Sequence, residues 1–413
     1  MSGGLLQLAA QGAQDMYLTG EPQITFFKVV YRRHTVFALE SVEQTWSGIP
    51  GPGKLSSCVI TRHGDLIGNM FLEFETDLEN ITGTQTAATQ ADVMSRYYYE
   101  QAIDYVEIEI GGQAIDKHYG KWMDIWYTLT HDPMAKPKGA LSDQIGGRPH
   151  YMPLMFWFNR NVGLALPLIG LQYHEVRLNV KFKQGSDGGT FSTADNNEGS
   201  GSRQNYKGMS KISSCKLWVD FIYLGKEERR RIAEMSHEYL IEQLQHIGAD
   251  TIPDGANNTK TILNFNHPVK ELIWTVHDQD GYPTYEHDKI TLTINGHKRF
   301  QERSSEYFTT MQTYYHHTTT MHPGNQYGIH VYSFALRPEE HQPSGTCNFS
   351  RIDDARLNIA NLNKNQSNVL GTEWGHNDAD SGTFVGGGSI YIYAINYNVL
   401  RIVSGMAGLA YSN

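Results

Sequence analysis

Asp104-Tyr-Val-Glu-Ile-Glu-Ile-Gly-Gly-Gln-Ala-Ile-Asp-Lys-His118 reads as a strand of period two, closed by a glycine turn and a polar, amphiphilic segment. The same design recurs in the second half as Asp288-Lys-Ile-Thr-Leu-Thr-Ile-Asn-Gly-His-Lys-Arg-Phe300. Each copy is followed by a short aromatic stretch, Met155-Phe-Trp-Phe158 and Val331-Tyr-Ser-Phe334, expected to be a strand. A second alternating strand comes next, Glu175–Val180 and Ala355–Ile359. Each half then closes on a strongly apolar run, Lys216–Leu224 and Ser389–Ile395. Matched elements in a fixed order at this scale indicate duplicated domains, since a solenoid would repeat over far shorter lengths.

The chain has 413 residues, more than one core usually organises, so at least two domains are expected. Apolar residues make up 39%, and 40 glycines without a collagen period suit many turns between short strands. A net charge of -10, from 34 basic and 44 acidic residues, argues against a protein that wraps nucleic acid non-specifically. The most apolar stretch, Val162–Leu171, is too short to span a membrane and carries Pro167. Cys58, Cys215 and Cys347 are odd in number and far apart, which suits small buried hydrophobes in a reducing compartment.

Residues 1–24 read as an arm without the features of a signal peptide. Ile24-Thr-Phe-Phe-Lys-Val-Val-Tyr31 is expected to open the first domain as a packed strand, and that domain runs over 25–224. The Gly-, Ser-, Asp- and Asn-rich segment 183–211 has little to bury and is expected to be a long exposed loop. Residues 225–236 form the best helical segment, with acids leading and bases following along the helix dipole. Its Arg229-Arg230-Arg231 run is preceded by two glutamates and reads as a solvated linker face. The second domain occupies 237–413. Other helices are expected only at Tyr119–Leu129 and Glu302–Thr310, and no βαβ alternation occurs. Two antiparallel sandwiches follow from this pattern.

No constellation of catalytic residues stands out. His316, His317 and His322 are candidate metal ligands, but their spacing matches no zinc pattern and the run holds neither carboxylate nor cysteine. The paired acids Asp353-Asp354, Glu339-Glu340 and Asp378 with Asp380 are sequence neighbours, which does not hold two carboxyls across a substrate. Gly111-Gly112 and Gly386-Gly-Gly388 lack the lysine of a phosphate loop and read as tight turns. No catalytic residue, cofactor or metal is assigned, and a structural or binding role is favoured. The alternative is a carbohydrate-binding or carbohydrate-cleaving sandwich using Tyr314, Tyr315 and Trp374 with nearby acids.

One segment, Gly12-Ala-Gln-Asp-Met-Tyr-Leu-Thr-Gly-Glu-Pro-Gln-Ile-Thr-Phe-Phe-Lys-Val-Val-Tyr-Arg-Arg33, closely resembles the opening of major capsid proteins of large icosahedral nucleocytoplasmic DNA viruses, especially those of algal viruses. The resemblance continues through Glu109–Tyr119, Gly163–Val176, His237–Gln245, Gln342–Asp353 and Tyr397–Tyr411, in family order along nearly the whole chain. The loops at Gln85–Met94, Gln184–Gly208 and Asn363–Gly386 depart from it.

The resemblance implies an all-β double jelly roll, two consecutive eight-stranded antiparallel sandwiches with a short linking helix. It implies a non-enzymatic virion protein, made in the host cytoplasm, whose pseudo-hexagonal homotrimers tile an icosahedral shell. Neighbouring trimers, minor capsid and penton proteins, and proximity to an internal viral membrane belong to that picture, as do outward loops able to carry glycans. Direct nucleic-acid binding does not. Leu5, Leu6, Leu8, Tyr17, Phe26 and Phe27 are the candidate assembly residues of the arm.

Overall fold

The computed structural model describes residues 3–10, 12–76, 102–131, 150–183, 212–254, 256–278, 283–284, 289–319, 328–360, 362 and 388–411. Residues 1–36 form one unit, containing α1 (Gly3–Ala9) and α2 (Met16–Thr19), and residues 37–413 form the other. The expected loop 183–211, apart from Lys183, lies outside the described residues, as do 85–94 and 363–386.

The larger unit begins with β1 (Phe37–Gln44), β2 (Leu55–Val59), β3 (Leu66–Thr76), β4 (Ile103–Ile110) and β5 (Gln113–Tyr119). After α3 (Gly120–Thr130) come β6 (His150–Pro153), α4 (Trp157–Arg160), β7 (Leu166–Pro167), β8 (Val176–Phe182) and β9 (Ile212–Leu224). These strands make two antiparallel sheets, β1-β9-β3-β6 and β2-β8-β4-β5, with short β7 on β3.

The linker helix α5 (Lys226–Glu234) separates them from β10 (His237–Ile252), β11 (Asn258–Ile262), β12 (Pro268–Asp278), β13 (Pro283–Thr284), β14 (Lys289–Ile294) and β15 (His297–Lys298). A π-helical turn (Tyr307–Met311) runs into α6 (Gln312–His316). It is followed by β16 (Ile329–Ser333), β17 (Cys347–Asn348), β18 (Ala355–Ala360), β19 (Gly388–Val403) and β20 (Met406–Leu409). Here the sheets are β10-β19-β12-β16 and β11-β18-β14-β15, with β13 and β17 also on β12 and β20 on β19.

Leaving aside β7, β13, β17 and β20, which attach singly to the sheets, each half has among the described residues eight principal strands in the same order. The first, eighth, third and sixth form one sheet, and the second, seventh, fourth and fifth form the other. The sequence repeats therefore hold equivalent positions. Tyr105–Ile110 and Lys289–Ile294 lie in the fourth strands, Glu175–Val180 and Asp354–Ile359 at the seventh. Alternation carries straight into burial: β8 reads buried at Val176, Leu178, Val180 and Phe182, and β18 at Ala355, Leu357 and Ile359.

Both fourth-to-fifth strand hairpins turn through two residues of positive φ, Gly111-Gly112 and Asn295-Gly296, the left-handed geometry that matches strand twist.

Two expected strands are corrected. Ile24–Tyr31 forms no strand, and regular pairing begins at Phe37. Its side chains are exposed, and β-prone residues adopt a strand only when a ladder and a buried face receive them. In the aromatic stretch, the strand ends at Pro153 and Trp157–Arg160 is helical. Phe156, Trp157 and Phe158 are all buried, which alternation along a one-sided strand forbids. The helix expected at Glu302–Thr310 exists but is shifted toward the C-terminus, ending at His316. The other, at Tyr119–Leu129, matches α3 within a residue.

A Cβ on Gly111 would collide with the His174 ring, whose Nδ1 accepts the Ala407 N–H at 3.1 Å; a Cβ on Gly112 meets open space. Gly112→Ala is expected to cost about 1–2 kcal/mol from positive φ alone. Gly111→Ala should cost distinctly more, measured by denaturant unfolding; equal losses would refute the packing argument.

Candidate assembly elements and the buried seam

The most elaborate side-chain chemistry lies where the first sandwich meets the second. α3 presents Trp122 and Trp126 one turn apart, their rings stacked at 5.5 Å. Trp122 packs on Tyr393 of β19 at 5.3 Å, and Tyr119 meets His246 of β10 at 5.0 Å. Lys121 lies 4.2 Å over the Tyr391 ring and 3.2 Å from Nδ1 of His277. The first core accordingly extends onto Ile273, Ile329, Val331, Tyr393 and Ile395 of the second sandwich.

Charges cross the same seam. Arg160 of α4 sits 2.9 Å from Glu242 of β10, and its guanidinium lies 5.1 Å from the Trp126 ring. Lys270, completely buried on β12, reaches the other Glu242 oxygen at 2.7 Å and donates to the Pro338 carbonyl. Burial alone would raise the Glu242 carboxyl, but Arg160 and then Lys270 hold it down at about 2. Burial also pushes Lys270 down, with Glu242 opposing. Beside this cluster the Leu244 N–H donates to Asp116 Oδ1 at 3.0 Å, and Gln243 donates to the Ile115 carbonyl. Buried ion pairs add little net stability over apolar substitutes, but removing one partner strands a charge, so the cluster fixes how the sandwiches meet.

His317 was a candidate metal ligand; the structure makes it a charge clamp. Its Nε2 lies 3.1 Å from Glu271 and its Nδ1 3.0 Å from Glu339. Burial would lower it, but Glu271 and then Glu339 raise it to about 9. The segment it holds reaches the first sandwich, where Thr319 N–H donates to the Leu129 carbonyl at 3.1 Å. His316 contacts the Leu336 carbonyl instead, and His322 lies outside the described residues. Among the described residues no group of His, Cys, Asp or Glu is arranged to hold a metal ion.

Three of the paired acids are engaged elsewhere, Glu339 with His317, Glu340 with Arg337 and Asp354 with Arg356, while Asp353 is exposed. Asp378, Asp380 and Trp374 lie outside the described residues, while Tyr314 and Tyr315 are exposed. The cysteines are free; Cys58 and Cys215 are buried and Cys347 half-buried. Burial pushes the Cys58 thiol to about 11 and raises Cys215 further.

The arm candidates are not gathered into one cluster. Leu5, Leu6 and Leu8 share α1, Tyr17 lies in α2, and Phe26 and Phe27 lie in extended or turn backbone; all six are exposed, Phe27 at 97%. The seam residues Arg160, Glu242, Lys270 and Glu271 escaped the sequence reading. The available signal was Lys270-Glu271 inside the apolar run of β12, a charge pair where only a partnered charge is tolerated.

Two eight-stranded sandwiches of identical winding define a double jelly roll. Two family models match the chain in order, "Major capsid protein N-terminus" over residues 25–225 and "Large eukaryotic DNA virus major capsid protein" over residues 228–408. The major capsid protein of Pyramimonas orientalis virus is 44% identical, and that of Paramecium bursaria Chlorella virus 1 is 39% identical, each alignment covering 100% of both chains. A quasi-atomic model of the PBCV-1 virus capsid superposes with a TM-score of 0.73 at 34% identity, covering 94% of this chain and 100% of that one. The Faustovirus major capsid protein shares the fold at a TM-score of 0.67 and 11% identity, over 95% and 94% of the two chains. The chain belongs to the family of large eukaryotic DNA virus major capsid proteins.

The buried histidines give stability opposite pH limits. His317, raised from 6.5 to about 9, contributes fully below pH 6.5 and loses its contribution as pH rises through about 9. His330, lowered by burial to about 4, contributes fully above pH 6.5 and loses it as pH falls through about 4. Melting temperature against pH should therefore fall at both ends, and His317→Gln should flatten the alkaline limb while leaving the acid one. An unchanged alkaline limb would reject the clamp.

Proposed function

We propose that this chain is the structural subunit of an icosahedral virion shell, acting as a homotrimer of pseudo-hexagonal outline. The observation that carries this reading is the identical strand order of the two sandwiches. Three copies of a two-sandwich chain present six similar lateral sides, so one building block can meet near-six-fold neighbours across a flat facet. The seam supports it, because a tile must keep its two halves at a fixed angle under load from its neighbours.

In this reading the chain divides into the arm (1–24), the first jelly roll (25–224), the helical linker (225–236) and the second jelly roll (237–413). It has no catalytic role: its working parts are surfaces that bind neighbouring trimers, minor capsid and penton proteins, close to an internal viral membrane and without direct nucleic-acid contact. Synthesis takes place in the host cytoplasm. The arm acts at the inner side of the shell, where Leu5, Leu6, Leu8, Tyr17, Phe26 and Phe27 offer apolar surface that their own unit leaves exposed. Outward loops carry any glycans.

Light scattering of the native protein should give about 140 kDa, three times 46.7 kDa. A stable monomer across micromolar concentrations would defeat the trimer. Deleting residues 1–20 should leave the trimer intact and impair shell assembly; unimpaired shells would make the arm dispensable.

A further inference from the structure

The two equivalent hairpin turns differ in one chemical respect. The first sandwich turns through Gly111-Gly112, which has no side chain to react, and the second through Asn295-Gly296. Asn295-Gly296 is the only asparagine-glycine pair in the 413 residues. The pair suits a turn that needs positive φ twice, here 46° and 81°. It also exposes the asparagine to attack by its own backbone. With no side chain on the glycine, nothing shields the Gly296 nitrogen from the side-chain carbonyl carbon beside it.

The folded hairpin ties down both reacting partners. Asn295 Oδ1 accepts the N–H groups of Asp353 at 3.1 Å and Asp354 at 3.0 Å, in the segment leading into β18. The Asn295 N–H donates to the Asp354 carbonyl at 2.7 Å. On either side of the turn the strands are paired, Ile294 with His297 and Thr293 with Lys298. Bringing Cγ of Asn295 onto the Gly296 nitrogen means rotating the side chain off 353–354 and the backbone out of the turn. Burial supplies none of this restraint, because Asn295 and Gly296 are both exposed and water reaches them freely.

We infer that Asn295 is a deamidation site, closed while this hairpin is folded and opened by its local melting. The Gly296 nitrogen loses its proton and bonds to Cγ of Asn295, the Cγ–Nδ2 bond breaks, and ammonia leaves. Water then opens the succinimide ring at either carbonyl, leaving aspartate or isoaspartate at this position. Neither product restores the original turn. Isoaspartate routes the main chain through the side-chain carbon, which lengthens a two-residue loop whose register is fixed. Aspartate adds a negative charge at a backbone segment where Asp353 and Asp354 already carry two. A local opening that would otherwise reverse becomes permanent, and the chain keeps a covalent record of it.

The native rate should equal the rate of the unfolded chain scaled by the fraction of time the hairpin is open. Full-length protein in its native form, and the same protein in urea, held at mildly alkaline pH, can be followed by peptide mass spectrometry. In urea Asn295 should react before every other asparagine, and in the native protein it should react slower by on the order of 10-fold or more. Asp353→Pro removes one of the two donors to Oδ1 at an exposed position. The preceding Ile352 already has the extended backbone that proline requires, φ −113° and ψ 120°. With native circular dichroism, this variant should deamidate at Asn295 about 2- to 10-fold faster than wild type, and at the wild-type rate in urea. The wild-type comparison needs no variant: equal rates with and without urea would overturn the protection, and another asparagine reacting first in urea would overturn the site. A folded Asp353→Pro protein with the wild-type native rate would reject the hold of the 353–354 backbone on the side chain.

Discussion

The outward face of the β10-β19-β12-β16 sheet sets the terms for the whole larger unit. An antiparallel sheet usually keeps one face wet, yet here Ile273, Tyr393, Ile395, Ile329 and Val331 are as apolar as the inner face and as deeply buried. Such a sheet has two dry sides and must be covered on both. The β11-β18-β14-β15 sheet covers one, and the first sandwich, through α3 and the end of β5, covers the other. The first core runs directly into this contact, so the two jelly rolls share apolar interior where a flexible linker alone would leave them free to move.

Polar groups give that contact its angle. Apolar surfaces tolerate sliding, because area removed from water changes little with small rotations. A buried Glu242 held by cations from two different sandwiches does not, since any shift leaves a charge unpaired. The hydrogen bond from the Leu244 N–H to the Asp116 carboxylate fixes the register of β10 against β5 in the same way. Packing supplies the strength of the seam and the charges supply its uniqueness.

Much of the architecture is legible in the chain because local chemistry decides it. Period-two alternation in β4, β8 and β18, and the Gly-Gly and Asn-Gly turns, act within a few residues of themselves. The misreadings fall where burial comes from elsewhere. Met155–Phe158 has the composition of a strand, but surroundings dry on every side turn Trp157–Arg160 into a helix. Ile24–Tyr31 has the same chemistry with no ladder in its own unit. The seam was hardest to see, since Arg160, Glu242 and Lys270 come from distant elements and no spacing rule joins them. Only the incongruity of Lys270-Glu271 within an apolar strand marked the place.

The cysteines have a consequence for the life of a particle. Cys58 and Cys215 are buried, without sulfur partners, and their thiols are held protonated well past neutral pH, so neither offers the thiolate that begins disulfide exchange. Burial also raises the half-buried Cys347 thiol. A shell built from this chain therefore gains no disulfide through Cys58 or Cys215 when its surroundings turn oxidising. Subunit contacts that involve neither thiol form and break reversibly, which lets a wrongly placed tile detach and be replaced while a lattice is still growing.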